Sequence, residues 1–180
     1  TVWYSFAALR DHAVYYSTGG VHREALMFTY LALDRLTGEE IWRDTQESYF
    51  GEVSIYNARR LFMDNVKLLD YMAPALWRYL VIYTSGDNVV RAFDARTGHE
   101  TWRTVLEQPT SSAPTVAGNR LYFGVRGDPL PGGRPPRLIC LAVHNGRKLW
   151  EMELDGAVLS APVTSKDLMI FGTDENYFYV

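Results

Sequence analysis

One eleven-residue pattern recurs in this chain and constrains its fold more than any other feature. Residues 32–42 read ALDRLTGEEIW and residues 92–102 read AFDARTGHETW, both A-x-D-x-x-T-G-x-x-x-W. Residues 142–150, AVHNGRKLW, read as a worn third copy two residues shorter, with His144 where Asp is expected and the Thr lost. The three tryptophans, Trp42, Trp102 and Trp150, stand 60 and 48 residues apart. Self-similarity at such a period points to a repeat architecture, in which each unit buries its apolar face on the next.

A second element keeps step with the first. Ala113-Pro114 and Ala161-Pro162 each follow a motif Trp by 12 residues, and Ala73-Pro74 opens the same kind of segment before the second motif. An apolar stretch follows each: Leu80–Thr84, Leu121–Val125 and Leu168–Gly172, with residues 13–17 filling the same slot near Ala7-Ala8, where the Ala-Pro is lost. Each unit reads as strand, turn, strand, turn, strand. The turns fall at Gly86-Asp87-Asn88, Thr37-Gly38, Thr97-Gly98, Gly118-Asn119, Asn145-Gly146 and Asp174-Glu175-Asn176. Gly and Asn reach the positive φ that tight hairpins demand. Short strands at this spacing predict an all-β chain, and a repeat of about 40–48 residues suits one propeller blade.

The motif has a local physical logic. Asp34 and Asp94 end a strand, where a carboxylate accepts hydrogen bonds from N–H groups two or three residues on. Thr37 and Thr97 hold the turn with a hydroxyl, and Gly38, Gly98 and Gly146 close it in the left-handed conformation. Trp42, Trp102 and Trp150 follow on the next strand, each offering about 150–250 Å² of ring to a neighbouring sheet. Ala32, Ala92 and Ala142 are small where that ring must fit. The thirteen positions Ala32, Asp34, Thr37, Gly38, Trp42, Ala92, Asp94, Thr97, Gly98, Trp102, Ala142, Gly146 and Trp150 are therefore expected to dock one blade on the next.

Two copies of this pattern, with Ala-Pro in register, resemble the tryptophan-docking repeat of the pyrroloquinoline-quinone (PQQ)-like β-propeller superfamily, from about Ala13 to Val180. That superfamily includes PQQ-dependent alcohol and sugar dehydrogenases, the propeller lipoprotein of the outer-membrane barrel assembly machinery, and envelope proteins without catalysis. The resemblance implies about four blades of a seven- or eight-bladed ring, and an extracytoplasmic location in the periplasm or cell envelope. A fourth Asp-Thr-Gly-Trp turn is expected after residues 177–180. Its absence is read as a piece of a longer chain, with assembly with another copy as the other option, and the start at Thr1 as either a removed leader or a start inside a longer chain.

The 180 residues are treated as one repeat domain with two interruptions. Residues 43–72 exceed one strand and a loop, and 57–72 reads as an extra hairpin, a short helix or a long excursion. Residues 125–137, VRGDPLPGGRPPR, form an exposed loop, since Pro cannot donate to a sheet ladder. Its Arg-Gly-Asp triplet is taken as chance.

No catalytic, cofactor or metal residue is assigned. The chain lacks the Cys-Cys pair of many quinoproteins, having Cys140 alone, and no D-x-D-x-D-G run gathers oxygens for calcium. His12, His22, His99 and His144 are scattered without metal spacing. Ser111, Ser112 and Ser160 lack a G-x-S-x-G elbow. A net charge of −3 without a basic stripe argues against nucleic acid, and no apolar run approaches the ~20 residues of a membrane span. The expected function is a non-catalytic protein-binding or scaffolding module, its partner a protein, the remaining blades or another copy. The alternatives are part of a PQQ- and calcium-dependent dehydrogenase acting on alcohols or sugars, and an extracytoplasmic sensor domain.

Overall fold

The computed structural model describes residues 6–22, 25–52, 72–85, 87–128 and 132–180, and among these the regular elements are all strands. The first sheet contains β1 (Ala8–Arg10), β2 (Ala13–His22), β3 (Ala25–Asp34) and β4 (Glu40–Glu52). The second contains β5 (Ala75–Trp77), β6 (Leu80–Thr84), β7 (Val89–Asp94) and β8 (Glu100–Val105). The third contains β9 (Thr115–Ala117), β10 (Arg120–Val125), β11 (Arg137–Ala142) and β12 (Lys148–Glu153). The fourth contains β13 (Val163–Ser165), β14 (Leu168–Gly172) and β15 (Phe178–Tyr179). Within each sheet the strands lie in chain order and every neighbour is antiparallel.

The sheets stack like a fan. The short first strands touch in succession, β1 with β5, β5 with β9 and β9 with β13. Burial follows from this placement. β6 (LVIYT) and β7 (VVRAFD) are covered on both faces, which suits their β-branched and aromatic residues. β8 (ETWRTV) lies at the rim and alternates, with Trp102 inward and Thr101 and Arg103 in solvent.

Among the described residues three cores lie between the sheets. Tyr30 and Trp42 of the first sheet meet Val81, Tyr83 and Phe93 of the second. Leu80, Ile82 and Trp102 meet Leu121, Phe123 and Ile139 of the third. Leu138 and the connection residues Leu154 and Val158 meet Phe171 of the fourth. The aromatic packing is close, with ring centroids 4.8 Å apart for Tyr30–Tyr83 and 4.9 Å for Tyr30–Phe93. Fully burying a ring such as Phe93 contributes about 1.5–3 kcal/mol.

Among the described residues three of the four sheets have four strands rather than the expected three, and the fourth sheet shows three. The addition is the three-residue strand directly after the Ala-Pro slot. It turns back into the next strand through a residue of positive φ: Asp11 (52°), Arg78 (46°), Gly118 (58°) and Lys166 (52°). Only Gly118 announces that turn by its type. The 43–72 interruption also begins later than expected, because residues 43–52 continue β4. β2 runs on past Ser17 in the same way. The first sheet's outer three strands have 10, 10 and 13 residues, against 5, 6 and 6 in the second. The segment read as 57–72 lies outside the described residues except for buried Met72.

Candidate functional site

The motif turns are built by short-range hydrogen bonds. The Asp34 carboxylate accepts from Leu36 N at 2.8 Å and Thr37 N at 2.9 Å, and Gly38 N donates to Asp34 O at 2.8 Å. Asp94 repeats the arrangement with Arg96 N at 3.0 Å and Thr97 N at 2.8 Å, and Thr97 Oγ1 adds a bond at 2.9 Å. The Thr37 hydroxyl accepts from Glu39 N at 3.2 Å. The N–H groups of Thr37 and Leu36 hold Asp34 below the usual carboxylate range. At Asp94 partial burial pulls upward, and the bonds from Thr97 and Arg96 outweigh it, so its carboxyl is also lowered. Gly38, Gly98 and Gly146 have φ of 74°, 74° and 71°.

Tryptophan and glycine meet across the joints between sheets. Trp42 lies so close to Gly98 that a Cβ there would stand 2.6 Å from Trp42 Cδ2. The Trp42 indole donates to Ala95 O at 2.9 Å, and the Tyr15 hydroxyl reaches the same carbonyl at 3.2 Å. At the next joint, a Cβ on Gly146 would stand 2.5 Å from Trp102 Cε3, and Thr104 Oγ1 donates to Gly146 O at 2.7 Å. Ala32 and Ala92, both fully buried, pair directly with Trp42 and Trp102 across the sheet. Gly38 has no neighbour among the described residues within 4 Å of its would-be Cβ, and Trp150 is 40% exposed beside Tyr122.

The third motif is not shortened. Cys140, not Ala142, pairs with Trp150, and Ala142 N bonds Arg147 O at 2.8 Å as Asp94 N bonds His99 O. Ala142 therefore occupies the Asp position and Cys140 the alanine position, giving C-x-A-x-x-N-G-x-x-x-W over residues 140–150. Asn145 stands in the Thr position, and its side chain accepts from Arg147 N at 3.1 Å. His144 is an ordinary turn residue in this register. Ala142 carries no carboxylate, so this turn lacks the Asp bonds.

Sequence reasoning missed a buried charge pair. Asp87, read as a hairpin-turn residue, is fully buried and bound to Arg91, itself 1% exposed, at 3.0 and 3.2 Å. Arg91 Nε donates to Gln46 at 3.0 Å, and Gln46 donates to Glu100 at 2.9 Å, tying the first sheet to the second. An Arg inside the apolar run VVRAFD, four residues after an Asp, was the available signal. Arg137 is similar. It binds Gln108, Glu151 and Glu107, bracing the base of the Pro-rich loop. Asp34, Asp87 and Asp94 each make their hydrogen bonds or ion pair within their own blade. Among the described residues no three His, Cys, Asp or Glu side chains gather as metal ligands.

Radially stacked antiparallel sheets joined in this way define a β-propeller. A family model described as outer membrane protein assembly factor BamB matches residues 27–130 and again 86–180. The chain belongs to that family, within the PQQ-like propellers. The fold is similar to quinohemoprotein alcohol dehydrogenase from Comamonas testosteroni, with TM-score 0.68, 17% identity, and coverage of 94% of this chain and 29% of that one. It is similar to BamB from Moraxella catarrhalis, with TM-score 0.55, 13% identity, and coverage of 83% and 44%. The computationally designed Ika4 protein gives TM-score 0.61 at 13% identity, covering 96% and 86%. No curated protein matches the chain. The chain thus spans less than half of both the dehydrogenase and BamB.

Proposed function

We propose that this chain is a non-catalytic propeller scaffold that holds a protein partner at the cell envelope, outside the cytoplasm. In this reading the motif residues serve only the joints, and contact is made by segments projecting from one end of the sheets. The carrying observation is that the two elaborated regions share that end. The β2–β3 connection, the far end of β4 and the loop joining β10 to β11 all issue from the side opposite the Gly38, Gly98 and Gly146 turns. A rigid stack presenting variable loops on one side suits protein contact. The family description names an assembly factor of outer membrane proteins, so the partner is taken to be a protein of that process.

Photo-crosslinking residues at His22 and Arg134, both exposed on the loop end, test this against Leu36 on the turn end. The reading expects one common protein adduct from His22 and Arg134 and none from Leu36. Adducts from Leu36 alone would refute it. The second reading, part of a quinoprotein dehydrogenase, draws on the higher TM-score of 0.68 to that fold. It predicts dye-linked alcohol or sugar oxidation by the full gene product with PQQ and calcium, which the scaffold reading excludes.

A further inference from the structure

The chain holds one Asn-Gly pair, Asn145-Gly146, at the motif turn of the third sheet. The same place is taken by Thr37-Gly38 and Thr97-Gly98 in the other two copies, so only this motif turn sets a side-chain amide directly before its glycine. Such a pair cyclises. The glycine nitrogen attacks the side-chain carbonyl carbon of the asparagine, and glycine, having no Cβ, hinders that close approach least. The N–Cγ bond forms, the Cγ–Nδ2 bond breaks, and the amide leaves as ammonia. Water then opens the cyclic imide at either carbonyl. The product is aspartate or its isoaspartyl isomer, whose backbone is one methylene longer.

The fold restrains this reaction. Asn145 is exposed, but Gly146 is buried. The Gly146 N–H donates to Ala142 O at 2.8 Å. Its carbonyl accepts from Thr104 Oγ1 of the second sheet at 2.7 Å. Its Cα lies so near the Trp102 ring that an added Cβ would stand 2.5 Å from Cε3. The Asn145 side chain is itself held, accepting from Arg147 N at 3.1 Å. To react, the Gly146 nitrogen must give up its proton, and with it the bond to Ala142, and turn toward Asn145 Cγ. Thr104 and Trp102 oppose that rotation for as long as the second and third sheets stay together.

We propose that Asn145 is a self-modification site, deamidating to aspartate and isoaspartate when the joint between the second and third sheets opens. The added methylene of the isoaspartyl product moves Gly146 away from Trp102, so a modified joint does not close as before. The proposal goes beyond the partner reading and does not depend on it.

The test is ageing of the full chain in neutral to mildly alkaline buffer, with a synthetic peptide of residues 142–150 as the unrestrained reference. Proteolysis and mass spectrometry follow loss of the amide at Asn145, chromatography separates the aspartyl from the isoaspartyl peptide, and circular dichroism checks that each chain is folded. The folded chain is expected to react at least about 10-fold more slowly than the peptide, because only the opened joint reacts. Thr104→Val keeps the side chain's shape but loses the bond to Gly146 O, and is expected to speed the reaction about 5-fold. Thr115→Val loses a similar bond, to Pro162 O between the third and fourth sheets, and is expected to leave the rate unchanged. A folded wild-type chain that reacts as fast as the peptide overturns the gating, as does a Thr104→Val chain no faster than wild type. Equal acceleration in both variants assigns the reaction to general unfolding and overturns it as well. A Thr104→Val chain that keeps its amide while the peptide loses it overturns the site.

Discussion

Gly38 and Gly98 occupy the same motif position with the same φ of 74°, but only Gly98 has a tryptophan on it. Replacing each by alanine therefore separates the backbone cost from the cost at the joint. At Gly38 the new Cβ meets no described residue within 4 Å, which leaves left-handed strain of about 1 kcal/mol. At Gly98 the same strain is joined by contacts of 2.6–2.8 Å with the Trp42 ring near its root, where the side chain cannot swing aside. Displacing the ring costs about 1–3 kcal/mol as overpacking. Losing the indole bond to Ala95 O costs about 1 kcal/mol more. Gly98→Ala should thus exceed Gly38→Ala by about 2–4 kcal/mol. At about 2–4 °C per kcal/mol for a chain of this size, the two melting midpoints separate by roughly 10 °C. Thermal unfolding followed by tryptophan fluorescence and urea titration measures both. Equal losses in the two variants would refute the account of the joint.

The remaining expectations concern hydrogen bonds and charge. Arg91→Leu leaves Asp87 buried without its partner and should cost about 3–5 kcal/mol in urea unfolding, while replacing both by apolar residues should cost less. Trp42→Phe loses a bond made in the native state and should destabilise more than Trp102→Phe, whose indole N–H has no partner among the described residues. Asp94 is lowered in the folded chain, so its contribution is present above the ordinary carboxylate pKa of about 4 and is lost as pH falls through its folded value. Stability measured from neutral pH down to acid should therefore fall less steeply for Asp94→Asn than for wild type.

The turns were legible because their bonds stay within five residues. Asp34 to Thr37, Asp94 to Thr97 and the left-handed Gly38, Gly98 and Gly146 each follow from the side-chain chemistry of one short segment. The apolar strands were legible for the same reason, since their composition suits a pleated, doubly covered surface. The third motif failed at the point where locality ends. Aligning AVHNGRKLW on its alanine looks natural in one dimension, but the position is defined by which residue stands across the sheet from Trp150, and that is Cys140.

Sequence alone determined the fold class, the repeat and the turn chemistry, all properties of contiguous residues. The tertiary structure alone decided the features made by pairing and burial. A left-handed turn at Arg78 or Lys166 follows from the short strand it joins, not from the residue type. Asp87 and Arg91 become a buried pair only because two sheets close over them. Among the described residues a tryptophan ring stands against Gly98 and none against Gly38, although the two motifs read alike. Contacts between sheets join residues far apart in the chain, 42 positions for Thr104 with Gly146 and 80 for Tyr15 with Ala95, and no local pattern encodes which of them meet.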